Sequence, residues 1–212
     1  MNGLYKNFYV WTRDIHLYLG LFLSPFGLVF GVSTVVLNHP ELAPAREAPA
    51  LDRVMENVEV PAGLEKLEGM ERVEALKTVM RQAGVSGEIN FVRYIPKENR
   101  MVAPVVKPGE ETTLDLNLAT RRVTVERRKT GLRDALAYLH KSPGPHNAAE
   151  RGNWVYTRLW GWLTDVTVYA LLFLSISGVY LWAVLKAERR IGLALLGAGV
   201  LSFAGVIYAI IA

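Results

Sequence analysis

The sequence predicts a mainly α membrane protein with three transmembrane helices and one small α+β domain outside the bilayer. About 20 apolar residues are needed to cross the hydrocarbon core. Hydrophobic residues make up 51% of the 212 residues, and they concentrate in three long runs, Ile15–Leu37, Trp160–Trp182 and Ile191–Ala212. The stretch between the first two runs is polar and charged with short apolar alternation, and its length suits a single compact domain.

The spacing of these runs divides the chain into five parts. We assign 1–39 to the cytoplasmic N-terminus and first transmembrane helix, 40–150 to the outer domain with its linkers, 151–185 to the second transmembrane helix, 186–190 to a cytoplasmic loop and 191–212 to the third transmembrane helix. The apolar core of a signal peptide is only about 7–15 residues long. The longer first run is therefore interpreted as an uncleaved signal anchor.

Basic residues near the spans set the expected orientation. Lys6 and Arg13 flank the first run, and Lys186, Arg189 and Arg190 lie in the short loop between the second and third. Short loops rich in Lys and Arg stay on the cytoplasmic side. We therefore expect a cytoplasmic N-terminus and an outer domain that is periplasmic or extracellular.

Composition excludes several classes of function. Without cysteine, the chain can form no disulfide, thiolate nucleophile, iron–sulfur cluster or thiolate-bound metal site. In the segment 121–129, basic residues alternate with strand-forming residues, which is typical of a solvent-exposed strand face. Since the outer domain would face away from the cytoplasm, we expect no nucleic-acid partner; membrane lipids are the expected surroundings. No nucleophile elbow, phosphate-binding glycine loop or His-Glu-x-x-His pair is present.

The outer domain is predicted to be one helix packed on a small antiparallel sheet. Apolar residues at helical spacing predict a helix over 67–83, which Gly84 and Gly87 end. Residues 40–66 are rich in Pro, Ala and Glu and are interpreted as a linker. Alternating runs predict strands, and an amphipathic run predicts a second short helix; the strands are 88–95, 101–106, 112–118 and 122–128, and the helix is 131–140.

All four histidines lie near the predicted membrane ends. His16 is on the inner side, whereas His39, His140 and His146 are on the outer side. The first two spans run antiparallel, so the outer histidines can meet at one level. Two neutral imidazoles facing each other between helices can ligate a haem iron. Interfacial histidines can equally cap helices or contact lipid headgroups, and spacing leaves both interpretations open.

One carboxylate lies inside the second apolar run. A charged group in the bilayer is costly, so Asp165 is expected to be paired or functional. Arg158 is two helical turns toward the outer side. A structural pair with Arg158 or a contact with the edge of a haem is favoured over a proton relay.

Two short motifs carry a family resemblance. The segment "TRDIHLYLGL" fits Arg-x-x-His-x-x-x-Gly, and "SGVYLW" fits the Thr/Ser-Gly-x-Tyr/Trp-x-Trp ending of a later span; the residues are Arg13, His16, Gly20, Ser177, Gly178, Tyr180 and Trp182. Together with the outer "NH", the helix-plus-strands domain and "YLH", they make the chain resemble the PepSY-associated transmembrane proteins over about residues 10–186.

This resemblance implies a PepSY-like outer domain in a bacterial inner-membrane protein. Some members bind b-type haem through these histidines and pass electrons to ferric siderophores, so it implies an oxidoreductase, either a ferric reductase or a respiratory accessory subunit. We expect His39 and His140 as the axial ligands, because His140 ends a predicted helix whereas His146 lies in a loop. His146 then serves as a substitute ligand or a propionate partner.

His16 raises the question of a second, inner haem. It lies 23 residues before His39, about 34 Å along a helix, so the two cannot share one haem. Larger family members have a fourth span with a further histidine, which this sequence lacks. His16 lies on a small-residue face with Gly20 and Gly27, suited to close packing against another span of the chain or a second copy.

We therefore consider four roles for His16: an inner haem shared by two copies in a homodimer, a haem completed by a partner redox subunit, an interfacial hydrogen bond in a single-haem protein, or a remnant of a lost site. Two other functions remain open for the whole chain. A non-redox PepSY protein would bind a peptide, a protease or a partner membrane protein. A copper- or zinc-handling protein would use the outer histidines, although the lack of cysteine weakens this alternative.

Overall fold

The computed structural model describes residues 3–39, 41, 47–142, 150–185 and 188–211. Five α-helices and six strands follow one another, with 3-10 turns at Leu64–Lys66 and Pro96–Glu98. Their order is α1 (Gly3–Asn38), β1 (Ala50–Met55), α2 (Gly69–Gln82), β2 (Glu88–Ile89), β3 (Arg93–Ile95), β4 (Arg100–Lys107), β5 (Glu110–Asn117), β6 (Arg122–Lys129), α3 (Leu132–Lys141), α4 (Val155–Leu185) and α5 (Arg189–Ile211).

Three of these helices are long and apolar enough to cross a membrane. They are Tyr5–Asn38, Val155–Leu185 and Arg189–Ile211, and their mean hydropathy is 2.0, 2.1 and 2.2. The prediction of three long apolar helices is therefore confirmed. Pro25 lies inside α1 without ending it, as is tolerated in membrane helices when neighbouring groups satisfy the freed carbonyl.

The chain divides into two compact units, residues 1–24 with 167–212, and residues 25–166. In the first unit, the beginning of α1 runs antiparallel to the end of α4. Successive contacts along α1 meet residues progressively earlier in α4: Phe8 contacts Tyr180, His16 contacts Ser177, and Gly20 lies against Leu174.

The second unit contains an antiparallel sheet of order β1-β6-β5-β4-β2, in which β3 also pairs with β4. α2 covers one face because its apolar residues recur at helical spacing. The core so formed contains Leu64, Val73, Leu76, Val79, Ile89, Met101, Val105, Leu114, Leu116, Val123 and Val125, with smaller residues between them. The predicted small antiparallel sheet domain is confirmed. Gly84, at a φ of 62°, ends α2 by donating to Arg81, while Val85 donates to Met80.

The interpretation of 40–66 as a linker is wrong over Ala50–Met55. This segment forms β1, which pairs antiparallel with β6 at the border of the sheet. Five of its six residues are exposed. An exposed strand has no apolar face to bury, so the alternation that reveals a half-buried strand is absent.

The predicted strand 88–95 is divided into β2 and β3. The amide of Asn90 donates to Pro104 on β4 (2.8 Å), but Pro104 has no N–H to return the bond. The next paired residues, Arg93 with Val102, are one residue out of step with the Ile89–Val105 pair. The missing donor of Pro104 therefore coincides with a bulge that breaks the strand.

The core predicts a difference between two leucine truncations. Leu114→Ala removes a side chain that is 1% exposed, whereas Leu51→Ala removes one that is 64% exposed. We expect the first to lower the free energy of unfolding by about 2–5 kcal/mol and the second to change it by about 0.5 kcal/mol or less. Denaturant unfolding of the full chain in detergent, followed by circular dichroism, measures both. Equal effects of the two variants would contradict the described core.

Candidate functional site

His140 lies in the last turn of α3, with its ring against the C-terminal half of α1. Its Nδ1 lies 2.7 Å from the hydroxyl oxygen of Ser33, and its ring meets Phe30 edge-on at 5.7 Å between centroids. Ser33 is buried within the second unit. The imidazole is therefore held in a defined position, although His140 itself is exposed.

The hydroxyl of Ser33 determines which nitrogen of His140 carries the proton. Its oxygen lies 2.8 Å from the carbonyl oxygen of Phe30, which can only accept. A hydroxyl has one proton, which we assign to the Phe30 carbonyl. With this assignment Ser33 accepts from Nδ1–H of His140, and in the neutral ring the lone pair is on Nε2.

The same arrangement recurs at His16 in the first unit. Nδ1 of His16 lies 2.8 Å from the hydroxyl oxygen of Ser177, which donates its own proton to the carbonyl of Phe173 at 2.6 Å. A Cβ on Gly178 would lie 3.5 Å from Cε1 of His16, an ordinary van der Waals distance, so the ring packs directly beside this glycine. The motif residues Ser177 and Gly178 thus contact the ring of His16 directly, and His16 packs against α4 of its own chain.

His39, one residue beyond α1, is oriented by a carboxylate. Its Nδ1 lies 2.8 Å from Oε1 of Glu41, and its side chain is 55% exposed. The pKa of the Glu41 carboxyl is lowered, first by its own backbone amide and then by His39. An ionised carboxylate only accepts, so Nδ1 of His39 is the donor.

The three histidines share one property that suits iron ligation. Each donates its Nδ1 proton to an oxygen of the chain, and no described residue forms a hydrogen bond with Nε2. Metal-bound histidines commonly donate their second nitrogen in this way, which fixes the tautomer and the ring orientation. Within the described ranges, no group of three or more His, Cys, Asp and Glu side chains is arranged to hold a metal ion.

The remaining predicted site residues are placed as follows. His146 lies outside the described residues. No hydrogen bond or ring contact joins His39 to His140 in the described part of the chain. The expected Asp165–Arg158 pair is not formed among the described residues: both side chains are exposed, and Arg158 lies against Gly152.

An apolar hollow of about 690 Å³ lies in the first unit, beside Ile15 and Ser177, the neighbour and the hydrogen-bond partner of His16. It is within the size range of small-molecule and cofactor sites. Four of its nine lining residues are aromatic, and Ser177 is one of three small polar residues; it is lined by Asn7, Phe8, Trp11, Thr12, Ile15, Phe173, Ile176, Ser177 and Tyr180. His16 itself does not line this hollow.

Sequence reasoning missed one buried carboxylate, that of Glu88 on β2, which contacts the last turn of α3. Glu88 has an exposed fraction of 0% and accepts from four groups, the Tyr138 hydroxyl (2.9 Å), the Gly152 amide (2.9 Å), Arg151 Nη1 (3.2 Å) and the Thr157 hydroxyl (3.3 Å). Thr157 lies 2.9 Å from the Tyr138 oxygen. Burial raises the pKa of the Tyr138 phenol, which stays protonated and donates.

Asn153 forms a second junction beside Glu88. Its amide group bonds both the N–H (3.0 Å) and the C=O (2.9 Å) of Ile89 on β2. The Asn153 side chain thus makes the two hydrogen bonds that a neighbouring strand would make with Ile89, and it joins the sheet to the start of α4. No sequence pattern reveals either junction, because Glu88 and Asn153 lie in segments that read as an ordinary strand and a loop.

The hydrogen bonds of the three histidines predict their tautomers. In the protein without added haem, at a pH where the rings are neutral, we expect protonated Nδ1 and unprotonated Nε2 at His16, His39 and His140. Nitrogen-15 NMR of histidine-labelled protein distinguishes the two tautomers directly. Ser33→Ala should alter the His140 signal and leave that of His16 unchanged, and a protonated Nε2 at His140 in the wild type would contradict the assignment.

Comparison with known families agrees with this arrangement of long apolar helices and a small sheet domain. No curated protein and no solved structure matches the chain. The family model described as PepSY_TM-like matches residues 10–212, nearly the whole sequence. The chain therefore belongs to the PepSY_TM-like family of membrane proteins.

Proposed function

We propose that this protein is a b-type haem protein of the bacterial inner membrane that transfers electrons at or across the membrane. Its reaction class would be that of a ferric reductase or a respiratory accessory subunit. The observation that carries the proposal is the common state of the described histidines. Each has its Nδ1 proton donated to an oxygen of the chain, and each presents the Nε2 lone pair that an iron ion requires.

For the outer haem, His140 and His39 are the proposed axial ligands. Ser33 fixes the ring of His140, and Glu41 fixes the tautomer of His39. An imidazole that donates to a carboxylate is a more basic ligand, so Glu41 would strengthen the iron bond of His39. His146 remains the proposed substitute ligand or propionate partner, with Asp165 and Arg158 as candidates for contact with the haem edge.

The chain and the haem contribute different parts of this function. When bound, the haem supplies one-electron transfer. The chain supplies neutral nitrogen ligands, fixes their orientation and sets the charge around them. We propose that the N-terminus is cytoplasmic and that the sheet domain faces the periplasm or the exterior, since Lys6, Arg13, Arg189 and Arg190 would then lie inside.

A second haem at His16 extends the proposal to electron transfer across the membrane. His16 has the same tautomer as the outer histidines, and no second inner histidine occurs in the chain. A two-fold axis can place a residue close to its own copy. We propose that two chains share this haem, with a partner redox subunit as the alternative source of the second ligand.

Loss of an outer ligand tests the proposed function. Purified wild-type protein, expressed with added haem, should show a Soret band and a low-spin spectrum typical of two histidine ligands. His39→Ala and His140→Ala should each abolish the low-spin signal because one axial nitrogen is lost. Leu51→Ala, at an exposed position of β1, is the control for the substitution itself. A normal low-spin spectrum in either histidine variant would refute this ligand pair, and a colourless wild type would favour a non-redox binding protein.

The ratio of haem to chain tests the shared inner site. We expect three haems for every two chains, and two haems for every two chains in His16→Ala, accompanied by loss of the dimer. The pyridine haemochrome assay gives the haem content, and light scattering gives the mass of the complex. One haem per chain, unchanged by His16→Ala, would rule out the shared site and leave His16 as a partner of Ser177 only.

A further inference from the structure

We infer that Glu88 is a positioning residue for His140: its buried carboxylate holds α3, through Tyr138, in the orientation that presents the His140 ring. The inference rests on the proposed haem site and assigns a function to the sheet domain. Among the described residues, Glu88 is the one carboxylate that is fully buried.

The surroundings of Glu88 fit an ionised carboxylate. A buried charge is stable only when it is paired and hydrogen-bonded, and Arg151 supplies the opposite charge at 3.2 Å. The Tyr138 and Thr157 hydroxyls and the Gly152 amide complete the set of donors. Loss of the charge would leave Arg151, whose side chain is only 14% exposed, without its carboxylate partner.

The last turn of α3 is held by three consecutive residues. Tyr138 donates to Glu88, the carbonyl of Leu139 accepts from Trp160 Nε1 at 2.8 Å, and His140 donates to Ser33. α3 has ten residues, none of them fully buried, and no side chain caps its N-terminus. Its position therefore depends on these polar contacts more than on burial, and a change at Tyr138 is transmitted to the imidazole two residues later.

A purely structural role for the Tyr138–Glu88 bond is less well supported, because another contact already joins the sheet to α4. Asn153 bonds both backbone groups of Ile89 without touching α3. The bond from Tyr138 to Glu88 adds α3 to this junction. Since α3 carries His140, the bond links the sheet to the proposed iron ligand.

Two substitutions and their combination test the inference in the full chain. Glu88→Gln removes the charge, and Tyr138→Phe removes the hydroxyl while keeping the Glu88–Arg151 pair. Glu111→Gln is the matched control, because it removes a carboxylate that pairs with Arg128 on the same sheet and makes no hydrogen bond to α3. The measurements are haem affinity by titration, the His140 nitrogen-15 signal without haem, and thermal stability.

We expect Glu88→Gln and Tyr138→Phe each to weaken haem binding about tenfold or more, the effect typical of residues that orient a metal ligand. Both should shift the His140 signal, and the double variant should be little worse than either single variant, since the two act through one bond. Glu111→Gln should change neither measurement. If Glu88→Gln does not fold, Tyr138→Phe alone decides the outcome.

Wild-type haem affinity and an unchanged His140 signal in Tyr138→Phe would overturn the inference, even if thermal stability fell. A wild-type protein that binds no haem would refute the proposed function separately. In that case the His140 signal without haem still decides whether Glu88 positions the ring, so the two failures are distinguishable.

Discussion

The burial of the Glu88 charge constrains the whole second unit. Moving a carboxylate out of water costs several kcal/mol unless opposite charge and donors replace the lost water. The donors come from α3, from the segment before α4 and from the first turn of α4, while Glu88 itself belongs to β2. These segments must therefore come together for the charge to be buried, and the sheet and the N-terminal end of α4 form one structure for that reason.

Serine hydroxyls have a corresponding role among the long helices. Ser33 and Ser177 each donate to a carbonyl in their own helix and accept from a histidine of another helix. A hydroxyl bonded to its own backbone is a neutral acceptor that is satisfied even in an apolar setting. A carboxylate in the same place would need a counter-charge, so serine orients an imidazole at lower cost in desolvation.

Sequence patterns predicted those parts of the fold that depend on burying apolar surface. Length and composition identified the three long helices, and the spacing of Val73, Leu76 and Met80 with the terminating Gly84 identified α2. The sequence did not predict β1, because five of its six residues are exposed. Burial periodicity cannot detect a strand that is held by backbone hydrogen bonds alone.

The candidate site was predictable only in its residue types. The histidines stand out because they are few and lie near the ends of the apolar runs, and Ser177 belongs to a motif of the family, but Ser33 resembles any other serine in an apolar helix. Glu88 and Tyr138 are 50 residues apart in the chain, and only the folded sheet brings them together. Whether His39 and His140 share an iron remains a prediction.

The Asn153–Ile89 pair also affects how the sheet can interact with other chains. An open strand edge can pair with a strand of another chain, and such pairing is a common route to aggregation. At Ile89 the free N–H and C=O are already occupied by one amide side chain, which blocks strand addition at that point. On the opposite side of the sheet, β1 carries the charged pair Asp52 and Arg53, and such charges disfavour a dry strand–strand contact. The domain is thus protected at both borders by different means.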